Sequence, residues 1–142
     1  MFDLADYLAK YERSVRKLIE ENKIEEAKKN LDEILRIIAS SQFLDSEIDK
    51  LVVILKKLHE DYMMLEDYER AFVPLYLTYR YTQGKYQIVP DVKNFLKNLP
   101  MGYNISSFEN QIREMVGNNW EISELLEIMK KNFDRTRKEN AI

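Results

Sequence analysis

Five of the nine tyrosines, Tyr76, Tyr79, Tyr81, Tyr86 and Tyr103, crowd around Arg80, Lys85, Lys93 and Lys97. Rings interleaved with cations can stack nucleobases while the cations neutralise phosphates. The same tyrosines can equally be amphipathic packing residues whose hydroxyls reach water. Tyr76 suits packing better. Tyr79, Arg80 and Lys85, near a helix end and a loop, suit either role. Arg70 either extends the patch or pairs with Glu66 or Glu69. Trp120 reads as a core residue.

Other chemistry finds little to build on. Glycines at 84, 102 and 117 cannot form a phosphate-cradling loop. There is no cysteine, so disulfides, thiolate metal sites and iron–sulfur clusters are excluded. His59 is the only histidine, which leaves a histidine-based metal site or a triad without parts. It reads as a helix-surface or boundary residue. Carboxylates are many, but they alternate with lysines at helical spacing, as in Glu25, Glu26, Lys28 and Lys29. That pattern marks a solvated helix face. An acid–base pair hidden among them has no support in the spacing. The reading is therefore of a chain that is not an enzyme and carries no cofactor or metal.

The 142 residues fit a single domain, 1–142, able to bury one core. With 45% hydrophobic and 33% charged residues and few Gly or Pro, the chain should be folded and helix-rich. The N-terminal stretch mixes charges without an apolar run and is not read as a signal peptide. Apolar runs are far too short for a membrane span. A cytoplasmic protein is expected, with no membrane partner. The net charge of −3 argues against a nucleic-acid coat over the whole surface but leaves room for a local basic patch.

The elements that must position these residues follow from apolar periodicity. Helix one is expected over 4–20, with Leu4, Tyr7, Leu8, Tyr11, Val15, Leu18 and Ile19 inward. Helix two is expected over 24–39, with Ala27, Leu31, Ile34, Leu35 and Ile38 inward, and the short turn implies an antiparallel hairpin. Asp45 or Ser46 should cap helix three, and Asp67 helix four. Pro74 inside helix four predicts a kink or break. Residues 85–89 should be extended, with no sheet. Pro90 suits the first turn of a short helix. Ser106 and Glu109 form a capping box for the next helix. The last helix should bury Ile122, Leu125, Leu126, Met129 and Phe133. The fold class is all-α, a bundle of about seven helices. Its parts are a scaffold over 1–84, a second part over 85–134 and a frayed tail over 135–142.

Residues 88–134 also carry a particular order. Val89-Pro90-Asp91-Val92-Lys93 leads to Leu99 and the turn Gly102-Tyr103-Asn104-Ile105-Ser106-Ser107. A helix follows, then Trp120, Glu124-Leu125-Leu126-Glu127-Ile128-Met129 and Phe133-Asp134. This order resembles the C-terminal domain of the archaeal and eukaryotic primase large subunit. It covers about a third of the chain. The family's first cluster cysteine falls at Asp91 and its other cluster ligands have no counterpart. Its basic turn residues fall near the neutral Ser107 and Asn110. The resemblance therefore implies a cluster-less chain, of the kind found as a noncatalytic third subunit in crenarchaeal primases. Such a chain would join the primase small and large subunits and help bind the initiating nucleotide and single-stranded DNA or primer-template. On that reading Arg70, Arg80, Lys85, Lys93 and Arg113 would hold phosphates. Tyr79 and Tyr103 would hold bases. Asn104 and Ser107 would meet a phosphate at a helix N-terminus, or simply cap it.

The main rival is a tetratricopeptide-like interaction module. Ala27 and Ala71 open similar helices but lie 44 residues apart, away from the ~34-residue period of that repeat. A small accessory or viral protein that binds a polymerase is a third reading. A primase subunit should show a cationic, tyrosine-lined cleft near 70–113, whereas an adaptor should show an apolar or acidic groove.

Overall fold

The computed structural model describes residues 2–140, with side chains described through residue 133. Its helices are α1 (Leu4–Glu20), α2 (Ile24–Ser40), α3 (Ile48–Met64), α4 (Tyr68–Tyr81), α5 (Val89–Lys97), α6 (Ile105–Val116) and α7 (Trp120–Asn140). A single 3-10 turn, Asp45–Glu47, leads into α3. The fold is all-helical, and no strand occurs among the described residues. None of the described helices is long and apolar enough to cross a membrane. The chain divides into two compact units, Met1–Asp67 and Tyr68–Ile142.

In the first unit α1 and α2 form the expected hairpin. Asn22 takes the left-handed conformation at φ 61° and ends α1. The Lys23 amide then returns to the Leu18 carbonyl at 2.8 Å, and the Asn22 amide to Ile19 at 3.0 Å. This pair of bonds satisfies carbonyls that the helix end would leave open. The same device recurs at Glu66, φ 58°, with Asp67 bonding back to Tyr62 and Glu66 to Met63. Helix starts 4 and 48, 24 and 68, and left-handed residues 22 and 66 are each 44 positions apart. The spacing seen between two alanines is thus a helix–turn–helix repeat along the chain.

All five residues expected inward on α2 are buried. On α1 the buried face is rotated from the expected one. Ala5, Leu8, Glu12 and Val15 are buried, while Tyr7 is 45% exposed. Glu12 was invisible as a core residue because a carboxylate interrupts the apolar count. α1 also runs parallel to α3. Lys50 on α3 meets Asp3 and Asp6 at one end, and Asp61 meets Arg16 at the other.

In the second unit α4 packs against α5, α6 and α7. It is buried on nearly every side, from Ala71 through Tyr79 with only Val73 half-buried. A helix apolar all round belongs at the centre of its unit. This explains why, of the kink or break expected at Pro74, no break occurs. The proline forfeits one backbone bond, worth about 3 kcal/mol with its clash, but packing holds the helix continuous. Phe72, Phe95 and Phe108, from α4, α5 and α6, form a ring cluster with centroids 5.1–5.7 Å apart.

Residues 85–88 are non-helical, and Pro90 stands in the first turn of α5 as expected. The cap of α6 differs. Asn104 accepts the Ser107 amide at 3.1 Å, and Ser106 lies inside the first turn. Asn104 is extended, as a cap must be, so the helix begins at Ile105 and Ser106 is already helical. Backbone helix continues through Asn140, where a frayed tail from 135 is expected. Residues 141 and 142 lie outside the described residues.

Asn119 caps α7 by accepting the Ile122 amide at 2.9 Å, and it donates to the Tyr76 hydroxyl at 2.7 Å. One amide side chain thereby fixes the start of α7 on α4. Asn119→Ala removes the cap and leaves the Tyr76 hydroxyl without that donor. A loss of about 1–2 kcal/mol is expected in urea unfolding, and Asn119→Asp should recover the cap but not the donor.

Candidate nucleic-acid interface

The proposed phosphate and base ligands do not converge on one point. Arg70 and Arg80 are both exposed. They sit at opposite ends of α4, about 15 Å apart at the rise of a helix. Lys93 is exposed on α5. Tyr103 is not open for stacking. Its hydroxyl donates to Glu69, and its ring stands edge-on to Tyr68 and Phe108 at 5.8 and 6.0 Å. Asn104 is engaged as the cap of α6, and the Ser107 hydroxyl accepts from Gln111 at 3.1 Å. Arg113 reaches Asn118 at 3.1 Å, Ser123 at 3.4 Å and Glu109 at 3.6 Å. It ties α6 to the start of α7.

One cluster does form, at the α4–α5 loop. Arg80 lies in the last turn of α4, where a cation also suits the helix dipole. Gln83 and Gly84 then both take positive φ, 55° and 75°. The Gly84 amide returns to the Tyr79 carbonyl at 2.8 Å, and Lys85 to Thr82 at 3.0 Å. The Thr82 hydroxyl accepts the Tyr86 amide at 3.3 Å and so holds the loop closed. Arg80, at the end of α4, and Lys85, in the loop, are both exposed.

Tyr79 lies beneath it, only 5% exposed. Burial, with the Glu124 carboxylate as hydrogen-bond partner, pushes its phenol up to about 12. It is a neutral packing residue, not an open stacking ring. The exposed ring is Trp120, 57% accessible at the first position of α7. A Cβ on Gly84 would lie 3.6 Å from the Trp120 Cη2 and 3.5 Å from the Tyr79 Oη. The edge of the indole therefore rests against the glycine while most of the ring stays wet.

Trp120 is thus a correction to the core role expected for it. Its position after the Asn119 cap places it on the outer side of α7, where Ile122, Leu125, Leu126 and Met129 take the inner side. The sequence signal that could have found it is the offset of residue 120 from that apolar stripe.

The charge supports this location. Residues 68–142 hold eleven Lys and Arg against nine Asp and Glu, a net +2. Residues 1–67 hold eleven against sixteen, a net −5. No group of three or more His, Cys, Asp or Glu side chains suited to a metal ion occurs among the described residues. Compared with protein-family models, curated proteins and solved structures, the chain gives no match.

Proposed function

We propose that this chain is a noncatalytic accessory subunit of a primase-type complex. Beside the small and large subunits it would hold an initiating nucleotide or a single strand. The observation that carries the reading is the exposed Trp120 indole seated on Gly84, the glycine that precedes the exposed Lys85 and follows the exposed Arg80 by four residues. An aromatic platform beside solvent-facing cations is what sequence-tolerant single-strand binding requires. No general base is needed, because such a subunit positions ligands and leaves nucleotidyl transfer to its partner. The resemblance over residues 88–134 supplies the primase assignment, and Trp120 lies within it.

Fluorescence anisotropy of a labelled mixed-sequence single strand tests the site. Trp120→Ala should weaken binding by about fivefold to 150-fold, from a stacking contribution of about 1–3 kcal/mol. Arg80→Ala and Lys85→Ala should each reduce the salt slope by about 0.7, the value for one single-strand phosphate left without its cation. Tyr103→Phe should leave binding unchanged. Binding that ignores Trp120 would remove the site.

A helical interaction module is the second reading, favoured by an open trough in the first unit.

A further inference from the structure

The first unit has an open trough of about 250 Å³ between the parallel helices α1 and α3. Its lining is Ala5, Asp6 and Ala9 from α1, with Lys50, Val53, Ile54 and Lys57 from α3. The alanines keep α1 low, and Val53 remains 54% exposed beside them. The volume falls below the about 300–1,000 Å³ of small-molecule pockets and suits one or two aliphatic side chains.

The lips are charged unevenly. At the N-terminal end Lys50 is matched by Asp3 at 3.7 Å and Asp6 at 3.6 Å. Further along, the Lys57 ammonium has no acidic partner among the described residues. Arg13 lies two turns beyond Asp6 on the same stripe of α1, and it too is exposed and without one. Arg16 and Glu60 close the far end by pairing at 3.4 Å. Lys57 thus edges the apolar floor, and Arg13 stands one turn past Ala9, the last α1 residue of the lining.

From this we infer that the α1–α3 trough docks an acidic helical segment of a partner protein. One or two leucine-like side chains enter the floor, and carboxylates of the segment meet Lys57 and Arg13. Helix-in-groove recognition of this kind needs apolar anchors at helical spacing and flanking charge of the opposite sign. The inference goes beyond single-strand binding and stands without it, since the trough and Trp120 belong to different units.

The test uses the full chain, isotope-labelled, and two short capped helical peptides. Both carry leucines at helical spacing, with glutamates between them in one and lysines in the other. The glutamate peptide should shift the amides of Ala5, Ala9, Val53, Ile54 and Lys57. The double variant Arg13→Glu, Lys57→Glu should lose at least tenfold in affinity for it and gain for the lysine peptide. Both sites are exposed, so the variant should fold, and its unperturbed amide spectrum elsewhere would show that. Equal binding of the two peptides, shifts on other residues, or no shift at millimolar peptide would overturn the inference. Shifts of the trough amides with protein concentration alone would give the trough to a second copy of the chain, and would overturn it too. None of these results bears on strand binding at Trp120.

Discussion

Replacing Arg16 by methionine is expected to cost about 3 kcal/mol of unfolding free energy, nearly as much at pH 5 as at pH 8. The reason lies between α1 and α3. Glu12 is 2% exposed and Asp61 is fully buried. The Arg16 guanidinium lies against Asp61 and 3.7 Å from Glu12. Removing the one cation beside buried carboxylates leaves a charge uncompensated, a cost of about 3–5 kcal/mol. The lower end applies because the Arg16 side chain is 32% exposed.

Glu12 Oε2 and Asp61 Oδ2 are buried without a hydrogen-bond partner, because two ionised carboxylates can only accept. A proton on Asp61, donated to Glu12, satisfies both. Burial, then the hydrogen bond and charge of Glu12, raises the Asp61 carboxyl from 3.8 to about 8, against the pull of Arg16. The sign follows from proton counting. A folded-state value above the unfolded one means that the folded chain binds the extra proton. That stability is complete below about pH 4 and is lost as the pH rises through about 8. The limiting slope is about 1.4 kcal/mol per pH unit.

Glu12→Gln removes the competition for the proton and leaves the Asp61–Arg16 pair in place. It should flatten the slope and raise stability at pH 8 relative to the parent chain. Urea unfolding at pH 5 and pH 8 decides the matter. A parent stability that falls no more steeply between pH 5 and pH 8 than that of Glu12→Gln would contradict the shared proton.

Phe72→Ala is the second large effect, a loss of about 3–5 kcal/mol. Phe72 is fully buried, and its ring contacts Phe95 at 5.5 Å and Phe108 at 5.1 Å. Alanine there removes the ring by which α4 meets both α5 and α6, and the void cannot be filled by a helix already buried around its girth. Calorimetric unfolding measures it. A loss below about 1.5 kcal/mol would mean that the three rings do not form the core of the second unit.

The elements that the sequence reading located well are those with uninterrupted apolar periodicity. α1 runs over the expected residues, and α2 buries the expected five side chains. Pro90 marks the start of α5 because its missing N–H is harmless there. Where a tertiary partner decides, the pattern misleads. Glu12 reads as surface until Asp61 and Arg16 are placed beside it, and Tyr7 gives up its inward place as α1 turns to meet α3. Pro74 reads as a break until the burial of α4 outweighs it. Asn104 and Ser106 are both competent caps, and only the backbone at 104 selects between them.

The candidate site was legible in part. Arg80 and Lys85 stand exposed at the loop as their flanking residues imply. The ring beside them is Trp120, 35 positions after Lys85, and a contact at that separation has no local signature. Tyr79 and Tyr103 have the right residue type, but burial and Glu69 hold them in the fold.

Trp120 is the only tryptophan, so the chain carries its own reporter. The most direct test follows its emission while a mixed-sequence single strand is titrated at low and at high salt. Quenching that saturates, weakens at high salt and disappears for an unstructured polyanion without bases is the predicted result. Unchanged emission under conditions where the strand is bound would contradict the proposed site, because the base would then not be on the indole.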